Sequence, residues 1–517
     1  MKRRFLALTM GMLLIAGVSI AQDDQVIANI IKEANENSQL EHLAHELMDV
    51  VGPRLVGTPQ MKSANDWAVN KYAGWNISAE NEQWGEWRGW ERGITHVDMV
   101  SPRVVSLNAM QLAWSPNGPK KGIKNAEVVG FPTFANAQAF TDWLPTIKGK
   151  VVMVSMPQPT GRPDYNWDKW GTDESIEKMK KDRAKLSADW DKNIRNTGFT
   201  SRTINAELEK AGAIAFFSSR WSRGFGANKV FSAGTKDIPN IDVSLEDYAM
   251  LYRLFQYGDS PKVNIVSESK ELGTVPVFNT IATIKGSEKP EEYVILSAHF
   301  DSWDGGTGAT DNGTGSILMM EVMRILKKHY PNPKRTILVG HWGSEEQGLN
   351  GSRSFVEDHP EIVDNIQVVF NQDNGTGRAV NLSGQGFLNS YDYLGRWMAK
   401  VPRKISSQIE TNFPGTPGGG GSDYASFVAA GAPAFSLSSL SWDYGTYTWH
   451  TNLDTYDKIV FDDVRSNVVL AAIMAYMASE DPETTSRDRS VLPLSRRTGE
   501  QMTWPQPRKS TRKGGEN

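Results

Sequence analysis

The apolar positions of this chain change rhythm twice. At the start they fall at helical spacing, with Val26, Ile30 and Ile31 followed by Leu40, Leu43, Leu47 and Val50. Gly52, Pro53, Gly57 and Pro59 interrupt that rhythm, and the pattern then predicts a helix over 61–74. Trp75, Trp84, Trp87 and Trp90 come next; they read as core or subdomain-contact residues, with a peptide-binding wall as the alternative. From about 119 to 270 the texture shifts. Short β-rich runs (EVVGF, KVVMVSM, AIAFFSS) alternate with helical pieces, and 173–195 is a strongly charged helical stretch. From about 271 onward, strand and helix alternate regularly. EYVILSAHF is the near-continuous apolar run expected inside a parallel sheet, a helix is predicted over 317–330, and RTILVGHW, IQVVFNQD and PAFSLSSL are further strands. This alternation predicts an α/β fold with a mixed, mainly parallel sheet flanked by helices, whose sites form at the carboxyl ends of the strands.

A chain of 517 residues exceeds what one core organises, so several units are expected. Lys2, Arg3 and Arg4 precede an apolar run from Phe5 to Ile20, and Ser19 and Ala21 suit cleavage before Gln22. That is a secretory signal pattern over 1–21, the run being short for a membrane anchor. The expected division continues with an N-terminal segment at 22–118, a β-rich accessory domain at 119–270, a catalytic domain at 271–485 and a disordered basic tail at 486–517. A formal charge of -4 gives no reason to expect nucleic acid or an anionic membrane as partner. The absence of cysteine excludes a thiol nucleophile and a cysteine zinc site, and fits a bacterial periplasmic or secreted protein. The tryptophan-rich N-terminal region is the candidate interface for a homodimer.

The chemistry lies in five short stretches of the second half. They carry His299 and Asp301 (AHFDSWD), Asp311 (GATDNGTG), Glu345 and Glu346 (GSEEQG), Asp373 (NQDNGTG) and His450 (WHT). Only 8 histidines occur in the chain, so two within acidic, glycine-punctuated segments are informative. Two imidazoles and three carboxylates can hold two divalent ions, and one more acid beside them can act as a base. His299 and His450 stand 151 residues apart, which suggests one for each ion rather than a local finger. Asp301 either orients His299 or ligates directly. Asp311 is suited to cap the following helix, and its spacing from His299 favours a bridging ligand. Adjacent glutamates after a strand cannot both face one way unless the backbone turns; Glu346 is assigned to metal and Glu345 to general base. Asp373 would be a costly buried charge without a metal or a strong hydrogen-bond network. His341, in VGHW, has no ligand pattern around it and reads as structural.

Together, HFDSWD, GATDNGTG, SEEQGLNGS, QD and WHTNLDT resemble, in order and spacing, the co-catalytic zinc exopeptidases of the aminopeptidase and plasma glutamate carboxypeptidase type. The resemblance is most specific over 271–475. It implies a zinc exopeptidase fold with an inserted protease-associated domain, and peptide as substrate. It implies one zinc on His299, Asp311 and Asp373 and a second on Asp311, Glu346 and His450, with Glu345 as base and Asp301 as the partner of His299. Ser422, Asp423 and Phe427 resemble the family's loop near the substrate, and Tyr447 is a candidate oxyanion donor. Two other classes remain open at this point: a one-zinc aminoacyltransferase like the glutaminyl cyclases, and a non-catalytic receptor-like relative. Arg353, Arg378 and Lys404 are candidate cations for a substrate carboxylate, and the sequence leaves open which peptide terminus is recognised.

Overall fold

The computed structural model describes residues 25–495 and 497–514, so the signal segment expected at 1–21 lies outside the described residues. Seven strands build the catalytic sheet, in the spatial order Glu410–Asn412, Ala379–Ser383, Ala434–Ser439, Ile366–Asn371, Lys289–His299, Arg335–Trp342 and Lys262–Ile284. Its centre is parallel: Lys289–His299 pairs in parallel with Arg335–Trp342 on one side and Ile366–Asn371 on the other, and the latter with Ala434–Ser439. The antiparallel partners lie outside that centre. Val294, Ile295 and Leu296 are wholly buried on both faces, which explains why this strand reads as a continuous apolar run.

From Lys289–His299 the chain crosses through helix Thr314–His329 to Arg335–Trp342, then returns past its starting strand to Ile366–Asn371. The reversal leaves a crevice beyond the carboxyl ends of Lys289–His299 and Ile366–Asn371, the place where sheets of this kind bind ligands. Helices Thr314–His329 and Phe461–Glu480 pack on the sheet and bury almost their full circumference.

A long ribbon joins this sheet to the accessory unit. Ser78–Ser101 and Lys262–Ile284 run antiparallel from Ser78 opposite Thr283 to Ser101 opposite Lys262, through four register shifts. At about 3.3 Å per residue, a 23-residue strand spans roughly 75 Å. Its far end pairs with Ile123–Val129, which continues in parallel through Val151–Met153, Ala215–Ser218 and Asn240–Val243. The largest element there is the 24-residue helix Asp173–Asn196, started by a Thr172–Ser175 capping box. The accessory unit is thus an α/β layer rather than the β-rich one expected, and it recruits Ala109–Gln111 from before the expected boundary at 119. Local β-runs show in the sequence; the parallel order of the sheet they form does not.

Trp84, Trp87 and Trp90 are buried with Leu55, Leu112, Trp114, Val230 and Trp303, so N-terminal segment, accessory unit and catalytic domain share one apolar cluster. These three tryptophans lie in the interior. The basic tail, read from composition as disordered, is instead docked. Trp504 packs on Phe387 with centroids 5.6 Å apart, and Lys513–Gly514 pairs in parallel with Glu86 and Trp87. One aromatic anchor and a short strand pairing hold a segment whose average composition is that of a solvated tail. Among the described residues, no helix is long and apolar enough to cross a membrane.

Candidate metal centre

Every sequence-predicted ligand stands at or just past the carboxyl end of a sheet strand or in a loop above it. His299 ends Lys289–His299, and Asp373 follows Ile366–Asn371 by two residues. Glu345 and Glu346 follow Arg335–Trp342, where Ser344 takes a left-handed φ of 62° and turns the backbone so that the two side chains diverge. Asp311 lies in the turn Ala309–Gly313 that leads into helix Thr314–His329. His450, itself at φ 59°, follows the single turn Tyr444–Thr448.

These five side chains form two groups that share one member. His299 Nε2 lies 3.3 Å from Asp311 Oδ1 and 3.5 Å from Asp373 Oδ1. His450 Nε2 lies 3.3 Å from Asp311 Oδ2 and 2.8 Å from Glu346 Oε2. In each group one ligand atom per residue falls within 4.8 Å of the others, the spacing of a shared coordination sphere. Asp311 offers a different oxygen to each group, the arrangement of a bridging carboxylate. Glu345 is in neither.

Five ionisable side chains packed this tightly shift one another's protonation. Burial alone would push Asp311 up, yet hydrogen bonds from His299 and His450 hold it well below the carboxylate range. Burial, joined by the Asp311 charge, pushes Glu346 up to about 7. Burial opposes the charge on His450, but Glu346 and Asp311 raise it to about 9; Asp373 and Glu345 likewise raise His299. Glu346 Oε1 is buried without a hydrogen-bond partner among the described residues, an acceptor with nothing to receive. Carboxylate oxygen with imidazole nitrogen is a donor set that suits a divalent ion.

Three residues hold the ligands in place. Asp301 accepts the backbone N–H groups of Glu345 (3.0 Å) and Glu346 (3.2 Å). His299 Nδ1 faces the main-chain carbonyl of Asp301 at 3.0 Å, closer than its carboxylate at 3.7 Å. Asp301 therefore positions the two glutamates with its side chain and the imidazole with its backbone, a wider role than partner of His299. Asp454, quoted in WHTNLDT but given no task there, accepts from Thr310 N and Asp311 N. Arg54, wholly buried, donates to the carbonyls of Gly52, Phe300, Thr307 and Gly308 at 2.7 to 3.1 Å and so braces the loops bearing Asp301 and Asp311. Burial lowers its guanidinium to about 10, against the pull of Asp454, Asp301 and Asp311.

The tyrosine near the cluster is not the expected one. Tyr447 hydrogen-bonds Tyr165 across an exposed edge. Tyr444 instead stands among carboxylates: burial first, then the charges of Asp311, Asp373 and Glu346, raise its pKa well above normal and keep the phenol protonated. In the loop that resembles a substrate loop, Ser422 accepts from Asn371 and Phe427 packs in the core against Trp342. Asp423 is buried, which pushes its carboxyl up to about 7 against the pull of His299. The accessory unit also reaches the centre, where Phe231 meets the His450 ring edge-on at 4.9 Å. His341 lies away from it, bonded to Tyr72.

A mainly parallel α/β sheet carrying such a cluster over its switch point suits metal-assisted hydrolysis, and likeness to known proteins makes the class that of a metallo-exopeptidase, a hydrolase of peptide bonds. Residues 279–475 match the model of Peptidase family M28. Carboxypeptidase Q of Rattus norvegicus is 26% identical over 443 residues, covering 85% of this chain and 85% of that protein. The Homo sapiens carboxypeptidase Q is 26% identical over 87% of each. Among solved structures, a Peptidase M28 precursor from Shewanella amazonensis superposes with a TM-score of 0.64 at 23% identity, covering 90% of this chain and 98% of that one. A zinc aminopeptidase from Bacillus subtilis shares the fold at TM-score 0.52 and 18% identity, over 87% and 96% of the two chains.

Proposed function

We propose that this chain is an exported, dinuclear zinc exopeptidase that hydrolyses terminal bonds of peptides. The observation that carries the reading is Asp311, whose two oxygens serve two separate histidine–carboxylate groups while Glu345 stands outside both. His299, Asp311 and Asp373 would hold one zinc, and Asp311, Glu346 and His450 the other. When bound, such a pair lowers the pKa of water and polarises a peptide carbonyl.

The chain's own residues supply the proton handling. Burial, with the charges of Asp373, Asp423 and Glu346, raises Glu345 against the pull of His299. As a carboxylate, Glu345 takes a proton from the attacking water and returns it to the leaving amine. Tyr444 retains its phenolic proton and donates it as a hydrogen bond to the oxygen on which charge develops. Asp301, Asp454 and Arg54 keep the carboxylates in register during this exchange. The apolar wall of Trp303, Phe231 and Trp449 around His450 limits water there. Export rests on the cationic start and the apolar run from Phe5 to Ile20.

Elemental analysis of the purified chain should return two zinc ions, and Glu345→Gln should keep both while losing at least about 100-fold in kcat. One zinc per chain, or normal turnover by Glu345→Gln, would overturn the reading. Cyclisation of N-terminal glutamine peptides without hydrolysis would move it to the aminoacyltransferase class.

A further inference from the structure

Beside helices Asn350–Asp358 and Tyr424–Ala429 lies a cavity of about 1010 Å³, and its outer wall is the tail from Met502 to Arg512. The tail is anchored at both ends of this span. On one side Trp504 packs on Phe387, with Arg489 over its ring at 4.8 Å. On the other, Ser510 donates to Glu357 through its backbone (2.9 Å) and its hydroxyl (2.8 Å), and Thr511 N donates to Asn350 Oδ1. Between the anchors Pro505 and Pro507 stiffen the strap, and Arg508 and Lys509 line the cavity.

The charges of this cavity do not balance internally. Its acids Glu357 and Asp358 are both engaged by Arg512, at 3.0 and 2.8 Å. Arg353, Arg508 and Lys509 have no ion-pair or side-chain hydrogen-bond partner among the described residues. Burial and the nearby Arg508 charge both press on the Arg353 guanidinium, while Asp423 and Glu345 draw on it from the catalytic side. Arg353 lies in the helix Asn350–Asp358, which starts four residues after Glu346, and presents to the cavity a guanidinium that Glu357 also attracts but does not pair. The other two candidate cations are elsewhere. Arg378 pairs with Asp463 at 3.5 Å, and Lys404 lines the same separate surface pocket.

We propose that this cavity is an anion subsite for the substrate: a carboxylate of the peptide is held by Arg353 and Arg508, with the C-terminal tail as the wall that completes it. The proposal rests on the peptidase reading and adds a substrate class to it. A planar guanidinium with free donors takes a carboxylate bidentately, and a second cation across the cavity strengthens the selection for negative charge. The carboxylate has two sources, the C-terminus of the peptide or an acidic side chain next to the scissile bond.

Three short peptides, assayed with the full-length zinc-loaded enzyme, separate these sources: one ending in Glu, the same ending in Gln, and the first with its terminus amidated. The acidic parent should exceed at least one neutral analogue by about 10- to 100-fold in kcat/KM, mostly through KM, the range of a charge-assisted hydrogen bond. Loss with Gln assigns the side chain; loss on amidation assigns the terminus. Arg353→Met and Arg508→Met should each bring the ratio toward one, and Arg353→Lys should recover part of it; circular dichroism and zinc content establish that the variants are folded and loaded. The proposal fails if the wild type shows no preference among the three, or if both Met variants keep it. Failure of the wild type to cleave any of them, with two zincs bound, would instead overturn the peptidase reading itself.

Discussion

Asp454 holds Asp311 by its backbone. One carboxylate oxygen of Asp454 accepts Thr310 N at 2.8 Å and the other accepts Asp311 N at 3.0 Å. The residue that bridges the two ligand groups is therefore aimed by a carboxylate 143 residues further along, four positions after His450. Burial pushes Asp454 up to about 7, against the hydrogen bonds from Thr310 and Asp311, so its ionised state depends on those two amides.

Asp454→Asn removes one acceptor and presents an amide N–H to a backbone N–H. Asp311 then loses its fixed aim while all five ligands remain. Metal affinity is expected to fall by about 10- to 100-fold, the range for loss of a partner that orients a ligand. Zinc titration against a competing chelator measures it. Unchanged affinity would show that the turn Ala309–Gly313 holds its shape without Asp454.

Arg54 carries a different load. Its guanidinium satisfies four carbonyls, three of them in the loops bearing Asp301 and Asp311. Arg54→Met keeps the volume and leaves those carbonyls buried without donors, and a loss of about 3–5 kcal/mol is expected. Arg54→Lys should recover little of it, since an ammonium has three donors and no planar fork. Denaturant unfolding of the metal-free variants reads the stability without the contribution of bound ions. A change below about 1 kcal/mol in Arg54→Met would reject the bracing role.

Removal of metal gives a pH-dependent signature. In the metal-free chain His450 is raised from 6.5 to about 9, so it carries a proton at neutral pH, whereas a ligand imidazole must be neutral. Zinc binding at pH 7 is therefore expected to release protons, visible as a buffer-dependent enthalpy in calorimetry. The sign for stability follows from the raised pKa. The ion pairs of His450 stabilise the metal-free chain fully below about 6.5 and fade as pH rises through about 9. The Tm difference between zinc-loaded and chelator-treated protein should widen with pH across that window, and a constant difference would contradict it.

The candidate ligands stand out in the sequence because each lies in a short segment where a histidine or acid meets glycines at a strand end, as at Asp311 and Glu346. The residues that aim them do not. Arg54 sits in GPRLVG, where nothing local marks it, and three of its four carbonyl partners follow more than 240 residues later. Tyr444 and Tyr447 are three apart on one turn, and only the path of Tyr444–Thr448 decides which faces the carboxylates. The ribbon of Ser78–Ser101 with Lys262–Ile284 was obscured for a related reason: register shifts at Gln83/Gly85 and Gly89/Trp90 break the alternation a strand should show. For the tail, average composition hid the two anchors at Trp504 and Arg512.

Acid stability should depend on Glu33, in the helix over 25–36 that begins the described chain. Its carboxylate is buried, with 4% of its side chain exposed, and receives Arg324 at 2.7 Å and Lys328 at 2.8 Å. Burial raises its pKa, but the bonds from Lys328 and Arg324 prevail and lower it from 4.5 to about 2. A lowered carboxylate pKa contributes stability above 4.5 that is lost as pH falls toward about 2. At 1.36 kcal/mol per unit, that contribution is about 3 kcal/mol, an upper figure for one group in a shared network. Glu33→Gln removes the titrating group and leaves two cations facing a neutral amide. At pH 7 the variant should be less stable by about 2–3 kcal/mol, and between pH 4.5 and 2.5 its stability should fall less steeply than that of the parent. Urea midpoints across that range make the comparison, and parallel curves would show that Glu33 does not titrate with unfolding.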